Sequence, residues 1–167
     1  MSHHLLRGAR RVLSMDDADT EWSDTDIRLR DGVIAEIGPG LPPEGAEIHD
    51  LSGCLVTPGL INTHHHLYQS MTRAVPGAQD APLFGWLTTL YPIWARMGPD
   101  HMRVAAMTGL AELALSGCTM TSDHQYLFPN GARLDDTIDA ARDVGLRFHP
   151  TRGAMSIGRS AWDGTAT

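Results

Sequence analysis

A chain of 167 residues is long enough for one ordinary domain, and its 42% apolar and 20% charged side chains are typical of a globular protein. The formal net charge of −7 disfavours a nucleic-acid partner, which would need a basic patch. No stretch reaches about 18 uninterrupted apolar residues, so we expect no membrane span and, by default, a cytoplasmic location.

Residues 1–58 have the pattern of a small β-sheet. Asp26–Arg30 alternates polar and apolar residues, the dipeptide Asp31-Gly32 favours a hairpin turn, and Val33–Ile37 is the expected partner strand. Other short apolar pieces predict further strands at Leu5-Leu6 and Val12-Leu13, separated by Gly8, and at Glu47–Leu51 and Cys54–Val56.

Three histidines follow a short apolar run. The turn dipeptide Pro58-Gly59 and the pair Leu60-Ile61 predict a buried strand that leads into His64, His65 and His66. Because alternate residues of a strand share a face, His64 and His66 would present two imidazoles to one side, with His65 turned away. Two such imidazoles are half of a zinc site, although a bare His-x-His also occurs by chance and in surface loops.

The remaining sequence alternates helical and strand patterns. The helices are expected from Asp80 as N-cap with an interruption at Pro92, from Asp100 as N-cap to Gly117, and from Asp135 to Val144 with Gly145 as its end. The second helix would bury an apolar face made of Val104, Met107, Leu110, Ala111, Ala114 and Leu115. Strands at 118–123 and 146–151 complete a parallel α/β pattern, and residues 158–167 are expected to be irregular.

Polar groups follow each of the three strands of this α/β part. The candidates are His64, His66 and Gln69 after the first strand, Asp123 and His124 at the second, and His149 and Arg152 at the third. Chemistry in parallel barrels is located at the carboxyl ends of strands, which favours a functional interpretation. A structural one stays open: Asp123 as a turn cap, His149 as a satisfied core histidine, Arg152 as a partner of a carboxylate.

Several segments carry a family resemblance. Residues 56–66, with 67–73, 90–95, 122–131 and 152–156, resemble the amidohydrolase superfamily in its cytosine-deaminase and chlorohydrolase-like branch, within the group of 8-oxoguanine deaminase and hydroxydechloroatrazine ethylaminohydrolase. The resemblance implies an α/β fold, the N-terminal part of a (β/α)8 TIM-like barrel preceded by part of a small β-sandwich. The implied domains are residues 1–58 for the sandwich portion, 59–157 for the barrel portion and 158–167 for a tail. The barrel of about 250 residues would be incomplete in this chain.

The resemblance also implies a reaction and a site. It implies hydrolytic deamination of a purine-like heterocycle by water activated on a divalent metal, most simply Zn²⁺, held by His64 and His66. Substrate would be bound by Gln69, His124 and Arg152, with the catalytic proton shuttle and the remaining ligands beyond residue 167. We expect this chain alone to be inactive, its partner to be a small heterocycle, and the full-length form to be a homo-oligomer. A triazine or pterin hydrolase, or a non-catalytic remnant that binds no metal, are the alternatives.

Overall fold

The computed structural model describes residues 2–154, so the predicted irregular tail and the resembling residues 155–157 lie outside the described part. The chain divides into two compact units between Pro58 and Gly59, and each unit has its own sheet. In the described part, no helix has both the length and the hydropathy needed to cross a lipid bilayer.

The first unit is a sheet of five strands. They are β1 (His3–Leu13), β2 (Glu21–Arg30), β3 (Val33–Gly38), β4 (Glu47–Asp50) and β5 (Leu55–Val56). The order is β3-β2-β1-β4, with β5 also paired to β1; β2 is antiparallel to both β1 and β3, whereas β4 and β5 run parallel to β1. The core of this sheet is formed by Ala9, Val12 and Ile27.

The hairpin prediction is confirmed, and the division of the first strand is wrong. Asp31 and Gly32 both have positive φ (50° and 79°) between β2 and β3, which is the conformation that a tight hairpin turn requires. β1, in contrast, is one strand, because Gly8 does not end it but forms a bulge with φ 72°. The amide of Gly8, displaced by the bulge, donates instead to the buried carboxylate of Asp26 (2.8 Å).

The second unit is a three-stranded parallel sheet covered by helices. The strands are β6 (Leu60–Asn62), β7 (Cys118–Gln125) and β8 (Arg147–Arg152), in the order β6-β7-β8. The helices are α1 (Leu83–Trp94), α2 (Pro99–Leu115) and α3 (Leu134–Val144), with single-turn helical segments at Leu67–Thr72, Pro76–Ala78 and Pro129–Gly131. Strand, helix and strand follow one another as the sequence predicts.

The strand β6 is not buried as predicted. Leu60 and Ile61 are 60% and 62% exposed, because β6 lies at one edge of the described sheet and its main neighbour is β7. The helices pack elsewhere: α2 packs on α3 and on the segment Leu67–Thr72, and α3 packs on β8. The apolar residues of β6 therefore did not show that the described helices leave this strand uncovered.

Two helices differ from the sequence prediction. α1 begins after Pro82, not at Asp80, and it continues through Pro92 for two more residues. α2 buries Met102, Ala105, Ala106, Gly109 and Leu110, whereas Val104 is 52% and Leu115 is 89% exposed. The buried face carries small residues because Leu67 and α3 approach α2 closely, so the bulkier aliphatic side chains of the predicted face are left at the surface.

Candidate metal centre and substrate cavity

The three histidines lie on a loop that β7 holds in place. β6 ends at Asn62, so the histidines lie beyond the strand and are not part of it. Four hydrogen bonds join this loop to β7: Ser122 Oγ to the Thr63 carbonyl (2.6 Å), the His124 amide to the His65 carbonyl (2.8 Å), the Leu67 amide to Asp123 Oδ1 (2.7 Å), and His66 Nδ1 to the His124 carbonyl (2.7 Å).

His64 and His66 face each other, as their spacing predicts. Their ring centres are 5.0 Å apart and the ring planes are nearly perpendicular (89°). Two imidazoles that share one tetrahedral zinc ion at the usual Zn–N distance have ring centres about 5 Å apart, so the donor set fits such an ion. His65 points away, with Cε1 close to Gly109 of α2, and burial lowers the pKa of its imidazole, followed in effect by the neighbouring His66.

The hydrogen bond of His66 fixes which ring nitrogen is free. A backbone carbonyl only accepts, so Nδ1 of His66 must carry the proton that it donates to the His124 carbonyl. In the neutral ring, Nε2 then keeps its lone pair. Metal-bound histidines in proteins are oriented by this kind of bond from the other ring nitrogen.

Asp123 is a buried carboxylic acid below the loop. It is 1% exposed, and its Oδ1 accepts the Leu67 amide one residue after His66. Its Oδ2 has no hydrogen-bond partner among the described residues. Burial raises the pKa of Asp123 to about 6, against the stabilising effect of the Leu67 amide. Asp123 therefore positions the backbone of the loop. The sequence had suggested either a turn cap or a residue of the site itself, and neither interpretation included this role.

A cavity of about 470 Å³ opens beside His66. This volume lies within the usual range for sites that take a small molecule, about 300–1,000 Å³. Its polar lining residues are His66, Gln69, His124 and Tyr126, and its apolar wall includes Leu83, Trp86, Leu87 and Tyr91. The helix α1 thus forms one wall of the cavity.

Gln69 is oriented by two tyrosines. Its Nε2 lies 3.3 Å from the Tyr68 hydroxyl and 3.4 Å from the Tyr126 hydroxyl. Burial raises the pKa of Tyr68, so this hydroxyl stays protonated over the whole neutral range. The Tyr126 ring also packs edge-on against His66, with the ring centres 5.4 Å apart. The carboxamide of Gln69 is therefore held by these contacts against the aromatic side of the cavity.

The other predicted site residues are placed differently. His149 is exposed and lines a second cavity with Ser122 and Thr151, so it is not the buried core histidine that one interpretation proposed. The Arg152 guanidinium carbon lies 4.9 Å from the centre of the Phe128 ring. Arg152 is not among the described residues that line the cavity beside His66.

Two residues of this region were missed by the sequence interpretation. Tyr126 lies two positions after His124 on extended chain, and this spacing is a signal that could have assigned it to the same face. Gly153 gives no such signal. Its backbone approaches His124 so closely that a Cβ there would lie 2.5 Å from His124 Nε2 and 2.8 Å from Tyr126 Cβ.

Comparison with known proteins shows two similar bacterial enzymes. The chain is 47% identical over 165 residues to 8-oxoguanine deaminase of Pseudomonas aeruginosa, an alignment that covers 95% of this chain and 36% of the relative. It is 34% identical over 172 residues to hydroxydechloroatrazine ethylaminohydrolase of a Pseudomonas species, covering 94% of this chain and 36% of the relative. The chain thus spans about a third of the length of the curated relatives that it matches.

Solved structures show the same fold. Atrazine chlorohydrolase from Arthrobacter aurescens, crystallised in complex with zinc, superposes with a TM-score of 0.87 and 32% identity over 98% of this chain and 39% of that protein. The α/β fold is therefore that of the N-terminal part of a TIM-like barrel hydrolase, with the five-stranded sheet before it. The sequence pattern of the amidohydrolase family matches residues 55–165, about two thirds of the chain, and the chain belongs to the amidohydrolase family.

Proposed function

We propose that this chain supplies part of the metal centre and of the substrate pocket of a hydrolase that acts on C–N bonds and deaminates a purine-like heterocycle of the 8-oxoguanine type. The similarity to 8-oxoguanine deaminase supports the substrate class. We also propose a cytoplasmic location by default, and a homo-oligomeric full-length form from the family resemblance.

The facing imidazoles beside the cavity are the observation that carries the proposal. His64 and His66 are 5.0 Å apart between ring centres, and the His66 tautomer leaves Nε2 free, next to the cavity that His66 itself lines. His64 and His66 are the residues that would hold a divalent cation, for which we propose zinc. Such an ion supplies a water molecule that ionises near neutral pH.

We propose that the heterocycle binds to the lining of the same cavity. The Gln69 carboxamide can donate and accept at once, which suits the lactam edge of an oxidised purine, and its two tyrosine contacts restrict its orientation. His124 offers a second polar group, while Trp86 and Tyr91 supply flat apolar surface for a ring.

Arg152 stays a proposed ligand of a ring carbonyl, because a guanidinium forms strong charge-assisted hydrogen bonds. To act so, its side chain would have to leave the Phe128 ring on which it lies.

A triazine or pterin substrate is the second candidate. The chain is 39% identical over 160 residues to isoxanthopterin deaminase from an unidentified prokaryote, and the zinc-complexed structural neighbour is an atrazine chlorohydrolase. These substrates share a flat ring with an exocyclic nitrogen or halogen substituent, so the described part of the cavity suits all of them. A substrate panel of 8-oxoguanine, isoxanthopterin and hydroxylated triazines distinguishes them.

The zinc content of the purified 167-residue chain tests the metal part. We expect zinc bound by the unaltered chain to fall by one equivalent when His64 and His66 are both changed to alanine. His149→Ala, which removes an exposed histidine of the neighbouring strand, is the matched control and should keep the zinc. An unchanged zinc content in the double variant would support the non-catalytic alternative and remove the proposed centre.

Catalytic activity needs more metal ligands than the described residues of the loop bring together. A catalytic zinc site uses three or more protein groups, and the loop provides two imidazoles. We therefore propose that the 167-residue chain does not deaminate by itself, and that a longer polypeptide containing it does. Turnover of 8-oxoguanine by the purified 167-residue chain would contradict this, and unchanged kcat/KM after Gln69→Leu in an active longer form would remove the role of Gln69.

A further inference from the structure

A second group of metal-binding side chains lies in the first unit, on the strands β1 and β4. These strands are parallel, and their register places His4 opposite Glu47. His49 follows Glu47 by two positions, so strand alternation presents it on the same face. The pairing of the two strands thus brings two imidazoles and one carboxylate together from positions more than 40 residues apart.

The donor atoms lie close enough to one another to share a single small cation. His4 Nδ1 lies 3.1 Å from His49 Nε2 and 3.4 Å from Glu47 Oε2, and His49 Nε2 lies 3.9 Å from Glu47 Oε1. Nitrogen and oxygen ligands of a tetrahedral zinc ion, at about 2.0–2.2 Å from the metal, are about 3.3–3.5 Å from each other. All three donor atoms lie within 4.8 Å of one another.

The three side chains are accessible from solvent. His4 and His49 are 33% and 41% exposed and Glu47 is 69% exposed, so a cation can reach them. Two imidazoles with one carboxylate are also a stronger donor set for a borderline metal than a cluster of carboxylates, which prefers calcium or magnesium. Without a cation, the same atoms form a histidine–histidine hydrogen bond beside a glutamate.

We propose that His4, Glu47 and His49 form a second binding site for a divalent transition metal of the zinc class, separate from the histidine pair at His64 and His66. The site joins β1 to β4. β4 has only four residues and is the end strand of its sheet, so few backbone hydrogen bonds hold it. A bound cation would therefore stabilise the pairing of the end strand β4 with β1.

The test uses the whole 167-residue chain with His64→Ala and His66→Ala combined, so that zinc at the histidine pair makes no contribution. After removal of metal with a chelator, Zn²⁺ is titrated at pH 7.5. We expect one equivalent to bind. His4→Gln and His49→Gln should each weaken the affinity at least tenfold, and Glu47→Gln should weaken it less.

His3→Gln is the matched control, because this adjacent histidine points to the opposite face, where its Nε2 lies 3.1 Å from Arg28 Nη1. It should leave Zn²⁺ binding unchanged. Hydrogen exchange gives a second readout: Zn²⁺ should slow the amides of β4 in the background chain and leave those of the His4→Gln chain unaffected.

Failure to bind zinc in the background chain, binding that survives both His4→Gln and His49→Gln, or equal loss with His3→Gln would each overturn the second site. None of these results bears on the proposed hydrolase centre, which is tested by His64 and His66 alone. Circular dichroism of each metal-free variant verifies that the sheet has folded before zinc is added.

Discussion

Replacing Asp123 with asparagine should remove a loss of stability that the unaltered chain suffers as the pH rises. Burial raises the pKa of Asp123 from its ordinary 3.8 to about 6 in the folded chain, so the folded state holds this proton more tightly than the unfolded state. The contribution of Asp123 to the free energy of unfolding is therefore full below about pH 4 and is lost as the pH rises through about 6. Two pH units correspond to about 3 kcal/mol.

The assay compares the free energies of unfolding of the two chains between pH 4 and 7 with a chelator present. Urea unfolding followed by tryptophan fluorescence is suitable, since Trp94 is fully buried in the same unit. The unaltered chain should lose about 3 kcal/mol relative to Asp123→Asn over this range. Asp80→Asn, which removes an exposed carboxylate of the same unit, is the control for the loss of one charge.

A difference that stays constant within about 1 kcal/mol, or that grows in the opposite direction with pH, would refute the reasoning. A direct check is the carbon resonance of the Asp123 carboxyl group, which should titrate near pH 6. Titration near 3.8 would show that the carboxyl group is solvated and that the unpartnered Oδ2 is not buried as described.

Two further predictions concern glycines. Gly109→Ala should destabilise the second unit by about 1–2 kcal/mol, because its Cβ would lie 2.8 Å from Leu67 Cδ2. The control Gly85→Ala in α1 meets only ordinary contacts and should be neutral or stabilising by up to about 1 kcal/mol. Urea unfolding measures the stability of both variants, and equal stability would contradict the close approach at Gly109. Gly153→Ala should displace the His124 ring, seen as shifted ring resonances, at a cost of about 1–3 kcal/mol, and unchanged resonances would show that the contact is absent.

Local signals predicted the parts of the fold that local chemistry determines. The turn at Asp31-Gly32 needs positive φ at both residues, and the end of α3 at Gly145 needs the left-handed conformation (φ 83°), so those residue types mark the boundaries in the sequence. The succession of strands and helices in the second unit was equally readable, because the strand and helix periods differ.

The errors come from contacts that no local pattern contains. The buried face of α2 follows from where Leu67 and α3 approach it, so small residues such as Ala106 and Gly109 are buried and Leu115 is not. Pro92 removes one backbone hydrogen bond near the end of α1, but the carbonyl that loses its partner belongs to exposed Thr88, and water can replace the bond. The low helix propensity of proline alone could not show that the loss of this one hydrogen bond costs little stability.

Only the histidine pair of the candidate site was predictable from the sequence, and the residues that support it were not. The positions of His64 and His66 on one side followed from their spacing, although the strand had ended before them. The supporting contacts, such as that between His66 and the His124 carbonyl, join residues 58 positions apart. A single sequence does not indicate such a pair.

These supporting contacts imply that β7 controls the geometry of the proposed metal centre. Hydrogen bonds to Ser122, Asp123 and His124 of β7 hold the backbone of the histidine loop, and the bond to the His124 carbonyl orients the His66 ring. A change of register in β7 by one residue would present the opposite strand face and break these bonds together. The position of His64 relative to His66 is therefore a property of the sheet, and substitutions in β7 should alter metal affinity even where no ligand is changed.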